Sequence, residues 1–253
     1  MVDPRRLTGT ALPHNIDCGS IPDQLTSNAV RLDGVHIGAT DAVAAARAYT
    51  LLLGVEPIAR PGSAFRFQLD RGAVEIEPGE SGLRAIRFVP DEQDAPHWPA
   101  AAAAFHGLDV RVGSSETFAA PPAPADAVSA IDHVVVFTTD PERATDFWRD
   151  RLGLRLAFDQ EFPTRHIRLM FFRSGGLTLE FATPLPVPSE PPGPDRLHGV
   201  SYRVPDLEAR RAALLAGGLD VSEIRPGNKA GTRVATVRSG TEGVPTLLLE
   251  NLP

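Results

Sequence analysis

The chain has 253 residues, 42% hydrophobic and 23% charged, which is enough to bury a core as one large domain or two smaller ones. A net charge of -7 argues against nucleic acid or an anionic membrane as the main partner, since both select a basic face. The single cysteine, Cys18, excludes a disulfide framework and a cysteine zinc site, and no run of 18 apolar residues is present to span a membrane as a helix. No apolar signal-type segment stands at the start, so the expected compartment is the cytosol.

In chain order, residues 1–29 are polar and aperiodic and are expected to form an arm. LDGVHIGATD, from Leu32, reads as a strand ending in the helix cap Asp41, with a helix that stops at Gly54. GAVEIE, with Glu77, reads as the last strand of this unit. LRAIRFVPD opens a second unit, whose alanine-rich segment and Gly107-Leu108-Asp109-Val110 run straight into a Pro-rich connection over 114–130. The second unit is therefore expected to be truncated.

IDHVVVFTTD, from Ile131, repeats the first strand at an offset of 99 residues, with Asp140 in the place of Asp41 and Gly153 in the place of Gly54. Asp140 suits an N-cap and Pro141 the first helical position, and Ala144, Phe147, Trp148 and Leu152 form a helical apolar stripe. The runs LRLAFDQ, RHIRLMFFR and GLTLEFA follow as short strands. A second Pro-rich stretch over 184–195 leads to HGVSYRVPD, a helix Leu207–Ala216, and the strands LDVSEIR, GTRVATVR and PTLLLEN. The pattern predicts an α+β chain of four βαβββ-type units in two domains. Their expected bounds are 30–113 and 131–253, with 114–130 as the linker.

This pattern resembles the vicinal oxygen chelate superfamily, which includes glyoxalase I, methylmalonyl-CoA epimerase, extradiol dioxygenases and the bleomycin resistance proteins. The resemblance is carried by Asp132-His133-Val134-Val135-Val136, by Asp140 through Gly153, by GGLTLEFATPL from Gly175, and by GTRVATVRSGTEGVPTLLLE from Gly231. It covers residues 130–252 and, more weakly, 32–112. It implies tandem βαβββ modules forming two glyoxalase-like domains, each a curved mixed sheet around a pocket, and often association into a homodimer. It also implies a divalent metal held by His, Glu, His and Glu.

Carried over residue by residue, the first ligand position is His133 and the second is Glu180. The third position is Gly199 and the fourth is Leu247, neither of which can ligate. His198 and Glu250 stand nearby but are expected on the opposite face or the rim, because side chains alternate along a strand. In the first domain the corresponding positions read Gly34, Glu77 and Arg84, and His36 shares a face with Gly34. His36 and Glu77 are thus possible pocket residues without a complete metal set.

The expected cofactor is at most a weakly bound divalent metal, with none the preferred reading. The favoured function is a glyoxalase-like lyase or isomerase that moves a proton alpha to a carbonyl through His133 and Glu180. The alternative is a metal-independent small-molecule binding protein of the bleomycin-resistance type. An extradiol-type dioxygenase is least favoured, because that subgroup needs the histidine that Gly199 replaces.

Overall fold

The computed structural model describes residues 30–90, 105–114, 118, 122–188 and 191–252. The expected arm with Cys18, and the alanine-rich segment of the second unit, lie outside the described residues.

Two open mixed sheets carry the fold. The first is built from β1 (Val30–Ala39), β2 (Ile58–Arg60), β3 (Ala64–Gln68), β4 (Ala73–Pro78), β5 (Gly82–Pro90) and β6 (Asp109–Val112), in the spatial order β2-β3-β4-β1-β5-β6. The second contains β7 (Ala130–Phe137), β8 (Arg155–Phe162), β9 (Ile167–Ser174), β10 (Leu177–Pro184), β11 (Arg196–Arg203), β12 (Arg225–Pro226), β13 (Thr232–Val237) and β14 (Thr246–Asn251). Its order is β12-β13-β14-β11-β7-β10-β9-β8. In each sheet the opening strands of two units meet antiparallel at the centre, β1 on β5 and β7 on β11. Each opening strand has the closing strand of its own unit alongside in parallel.

Helix α1 (Ala42–Leu53) starts at Asp41, whose carboxylate accepts from the Ala44 amide, and ends at Gly54 in the left-handed region at φ 69°. Helix α2 (Pro141–Thr145) is capped by Asp140 in the same way and continues as a π-helical turn over Asp146–Arg151. Helix α3 (Leu207–Ala216) is capped by Asp206 and has the bounds expected from its apolar pattern.

Two expectations are corrected. LDVSEIR does not form a full strand: Val221 makes an isolated bridge to Val237, and only Arg225–Pro226 pairs as β12. Gly107-Leu108-Asp109-Val110, expected only to run into the Pro-rich connection, recurs as Gly-Leu-Asp-Val at 218–221 but is structurally different. It leads into β6, which lies parallel to β5 in the place that β14 takes beside β11. The truncated unit has kept its closing strand next to its opening one, so the parallel ladder at the sheet centre survives.

Along β7 the burial alternates. Val134 and Val136 are fully buried on the helix side, whereas His133, Val135 and Phe137 are half-buried on the other face. The helix sides share one core. Trp148, in the turn that extends α2, lies 5.8 Å from Phe181 of the second sheet and 5.8 Å from Phe88 of the first. A single fully buried indole thus joins both sheets. Trp148→Ala is expected to cost about 3–5 kcal/mol and to lower the midpoint of one unfolding transition followed by calorimetry. Two separate transitions, or a loss below about 1 kcal/mol, would contradict a shared core.

Candidate functional site

Each of the four opening strands contains one extra residue relative to its antiparallel partner. These residues are Asp33 in β1, Arg84 in β5, Asp132 in β7 and His198 in β11. Such a bulge turns two successive side chains toward the same side. In β7 it brings Asp132 next to His133 on the second sheet's open face.

Asp132 Oδ2 lies 2.9 Å from His133 Nδ1, and its Oδ1 accepts from Arg203 Nε at 3.1 Å. His133 Nε2 faces Glu180 Oε2 at 3.6 Å. Glu180 is opposite Val135 in the parallel ladder, so it reaches His133 as the diagonal neighbour on the same face. The side chains of Asp132, His133 and Glu180 are all about one-fifth exposed, at 19, 18 and 21%.

Burial pushes the Glu180 carboxyl up, the His133 charge pulls it back only in part, and Asp132 adds to the rise. Burial opposes the His133 imidazolium. The Asp132 hydrogen bond and the charges of Glu180 and Asp132 outweigh that and leave its pKa raised, although Arg173 opposes them. Asp132 is itself disfavoured by burial, yet His133 and Arg203 hold it far below the usual carboxylate range. The result is a permanently charged aspartate tied to one ring nitrogen, with the other nitrogen aimed at a carboxylate of raised basicity.

Gly199 faces Val135 across the antiparallel ladder, and Leu247 lies beside Ser201. A Cβ at Gly199 would sit 2.6 Å from the Pro245 carbonyl oxygen, so the close approach of β14 itself excludes a side chain at the third ligand position. His198 departs from the alternation expected of it. As the bulged residue it turns its ring onto Phe137, 4.2 Å between centroids, and burial lowers its pKa. Glu250 is nearly buried away from His133 and is bound by Arg233 at 2.8 Å. Two donors beside the Arg173 charge do not fit a resident divalent metal, which needs three or more protein ligands when held tightly.

The first sheet brings His36 and Glu77 together, and the structure adds two residues that the sequence had not marked. Glu75 faces His36 in the ladder, as Glu180 faces Val135, so the counterpart of Glu180 is Glu75 rather than Glu77. Arg111 on β6 donates to both Glu77 oxygens at 2.6 and 2.9 Å and approaches His36 Nδ1 at 2.8 Å. Glu75 lay in plain view, two residues from Glu77 on the same strand face. Arg111 had no local signal, because its position depends on where β6 docks.

His36, Glu75 and Glu77 offer ligand atoms within 4.8 Å of one another. Three arginines already stand among the acids. Arg66 is 2.6 Å from Glu75, Arg87 is 3.8 Å from both Asp33 and Glu75, and Arg111 clamps Glu77. Three guanidinium groups balance three carboxylates, so the acids have their cations from the chain itself. His36 has its pKa lowered by burial and then by Arg111. A neutral ring with its proton on Nε2 lets Nδ1 accept from Arg111, whereas an Nδ1 proton would be shared with Glu77 at 2.8 Å.

A depression of about 460 Å³, lined by His106, Asp140, Arg143 and Phe147, opens on the helix side of the second sheet, away from His133. There Asp140 caps α2 and Arg143 binds the buried Asp195 at 2.7 Å.

Removing the Arg111 charge, as in Arg111→Ala, is expected to raise the His36 pKa, because a cation that disfavours the imidazolium is lost while Glu75 and Glu77 remain. Imidazole NMR titration reads this directly, and an unmoved or lowered value would show that Arg111 does not set the charge of this cluster.

Residues 132–236 match the family model described as the Glyoxalase/Bleomycin resistance protein/Dioxygenase superfamily. No curated protein matches the chain. Among solved structures, a Mn(II)-bound glyoxalase from Novosphingobium aromaticivorans superposes with a TM-score of 0.63 at 16% identity, over 89% of this chain and 83% of that one. A 2,2',3-trihydroxybiphenyl 1,2-dioxygenase from Sphingomonas wittichii strain RW1 gives 0.63 at 16% identity, over 87% and 90%. A halotolerant catechol dioxygenase gives 0.64 at 14%, over 87% and 86%. At such identities the likeness concerns the fold of both halves rather than their chemistry. The matched residues lie in the C-terminal half, and the two sheets together carry a tandem fold similar to that of these solved structures.

Proposed function

We propose that this protein is a glyoxalase-like enzyme of the lyase or isomerase type, which moves a proton alpha to the carbonyl of a small organic substrate without a resident metal. The observation that carries the reading is the placement of His133 between two carboxylates, with Nδ1 on Asp132 and Nε2 facing Glu180.

The roles follow from the protonation preferences. Glu180, as carboxylate, takes the proton from the alpha carbon. The C–H electron pair moves into the new C=C bond of an enolate, and the negative charge passes to the carbonyl oxygen. The His133 imidazolium, with Nε2–H directed into the same space, donates a hydrogen bond to that oxygen. When the proton on Glu180 has exchanged with solvent, its return to the same carbon completes exchange, and its transfer to the neighbouring carbon of a hydroxycarbonyl enediolate completes isomerisation. Asp132 fixes the ring and favours its charged form, and Arg203 fixes Asp132.

A second reading, a protein that binds or sequesters a small molecule, is favoured by Gly199 and Leu247 at the other two ligand positions. Under either reading the partner is a small molecule in the cytosol, without nucleic acid or membrane.

Solvent exchange separates the two readings. In D2O the protein is expected to incorporate deuterium alpha to the carbonyl of simple 2-oxoacids, and Glu180→Gln or His133→Ala is expected to slow this by about 100-fold or more. The rate should rise with pH as Glu180 loses its proton and fall as His133 loses its own, both limbs lying above the ordinary values of these groups. Ligand binding by calorimetry with no exchange in the wild-type protein would overturn the enzymatic reading in favour of binding.

A further inference from the structure

The open face of the second sheet places aromatic rings directly beside Glu180. Phe171 on β9 stands opposite Glu180 in the antiparallel ladder, and Phe158 on β8 stands opposite Phe171. Opposed residues share a face, with Cβ atoms roughly 5 Å apart. The two rings stack at 4.8 Å with 27° between their planes. On the other flank, Phe137 shares the face of His133 and Val135, and the bulged His198 lies against it at 4.2 Å. All four rings are half-buried, so part of each remains open to a ligand.

The floor between these pairs is small. Ala182, the next residue after Glu180 on this face of β10, has Phe137 on one side and Leu169 on the other. Ala182 and Leu169 are themselves buried, at 2 and 4% exposure, so the surface open to a ligand beside Glu180 is that of the half-buried rings. Ring stacking gains most where both partners lose water, and a half-buried ring pair is already partly desolvated.

We infer that this half-buried aromatic surface takes the aromatic ring of the substrate, so that the protein acts on a small aryl-substituted carbonyl compound whose alpha carbon lies over His133 and Glu180. The inference rests on the proton-transfer reading of that pair and specifies what that pair acts on.

Phenylpyruvate and 2-oxobutyrate test it. Both are 2-oxoacids with an enolisable methylene group, and they differ in a phenyl ring against a methyl group. Calorimetry reads binding and NMR in D2O reads exchange of the methylene protons, both on the full-length protein. Phenylpyruvate is expected to bind about tenfold or more tightly and to exchange with a correspondingly higher kcat/KM. Phe171→Ala and Phe137→Ala should collapse that ratio toward unity. Phe171→Leu, which keeps an apolar side chain for folding, should reduce it in part.

Equal binding of the two probes, binding of neither, or a ratio unchanged in the variants would overturn the inference. Exchange of both probes at equal rates that still falls in Glu180→Gln would remove the aryl preference and leave proton transfer standing. A ring-dependent affinity with no exchange would uphold the aromatic surface as the ring's site and overturn proton transfer.

Discussion

The extra residue at Asp132 is the constraint on which the site depends. In a regular strand Asp132 and His133 would point to opposite faces, and the aspartate would be forced into the apolar helix side beside Val134. The bulge against β11 turns it to the open face, where the carboxylate meets both His133 and Arg203. The same irregularity recurs at Asp33, Arg84 and His198, so all four opening strands break their ladder at the same place. Repetition of the unit has repeated a device that re-aims one side chain per unit, and each copy uses it differently.

Those differences divide the two halves. In the first sheet Asp33 joins Glu75 and Glu77 among Arg66, Arg87 and Arg111, and the concave face closes on itself by ion pairing. In the second, Asp132 is bound by one arginine and one histidine, and among the ion pairs of the described residues Glu180 faces His133. A carboxylate with one partner at 3.6 Å and partial exposure can exchange a proton with a ligand, whereas one clamped by two guanidinium nitrogens cannot do so readily. The chemistry is therefore expected in the half that kept its charges under-compensated.

Much of this was legible in the sequence. The caps Asp41 and Asp140, the stop at Gly54 and the bounds of α3 followed from local rules that tertiary structure did not override. The offset of 99 residues aligned Asp33 with Asp132 and so located the bulges without revealing them. His133 and Glu180 were found through resemblance and proved to be neighbours. Three things could not be read. The turn of His198 toward Phe137 needs the bulge, and alternation alone gives the wrong face. The equivalence of Glu75 with Glu180 needs the ladder register, because the local alignment of GAVEIE with GGLTLE slips by two. Arg111 enters the cluster only because β6 takes the position of a closing strand, a consequence of the truncated unit.

Across these features the central claim is that Asp132 holds His133 in a charged, oriented state facing Glu180. Nitrogen-15 NMR of the His133 ring as a function of pH tests this most directly. The account predicts titration above the ordinary imidazole value of about 6.5, with a downward shift in Asp132→Asn because a charge that favours the imidazolium is removed. A His133 that titrates below that value, or whose titration is the same with and without the Asp132 charge, would contradict it.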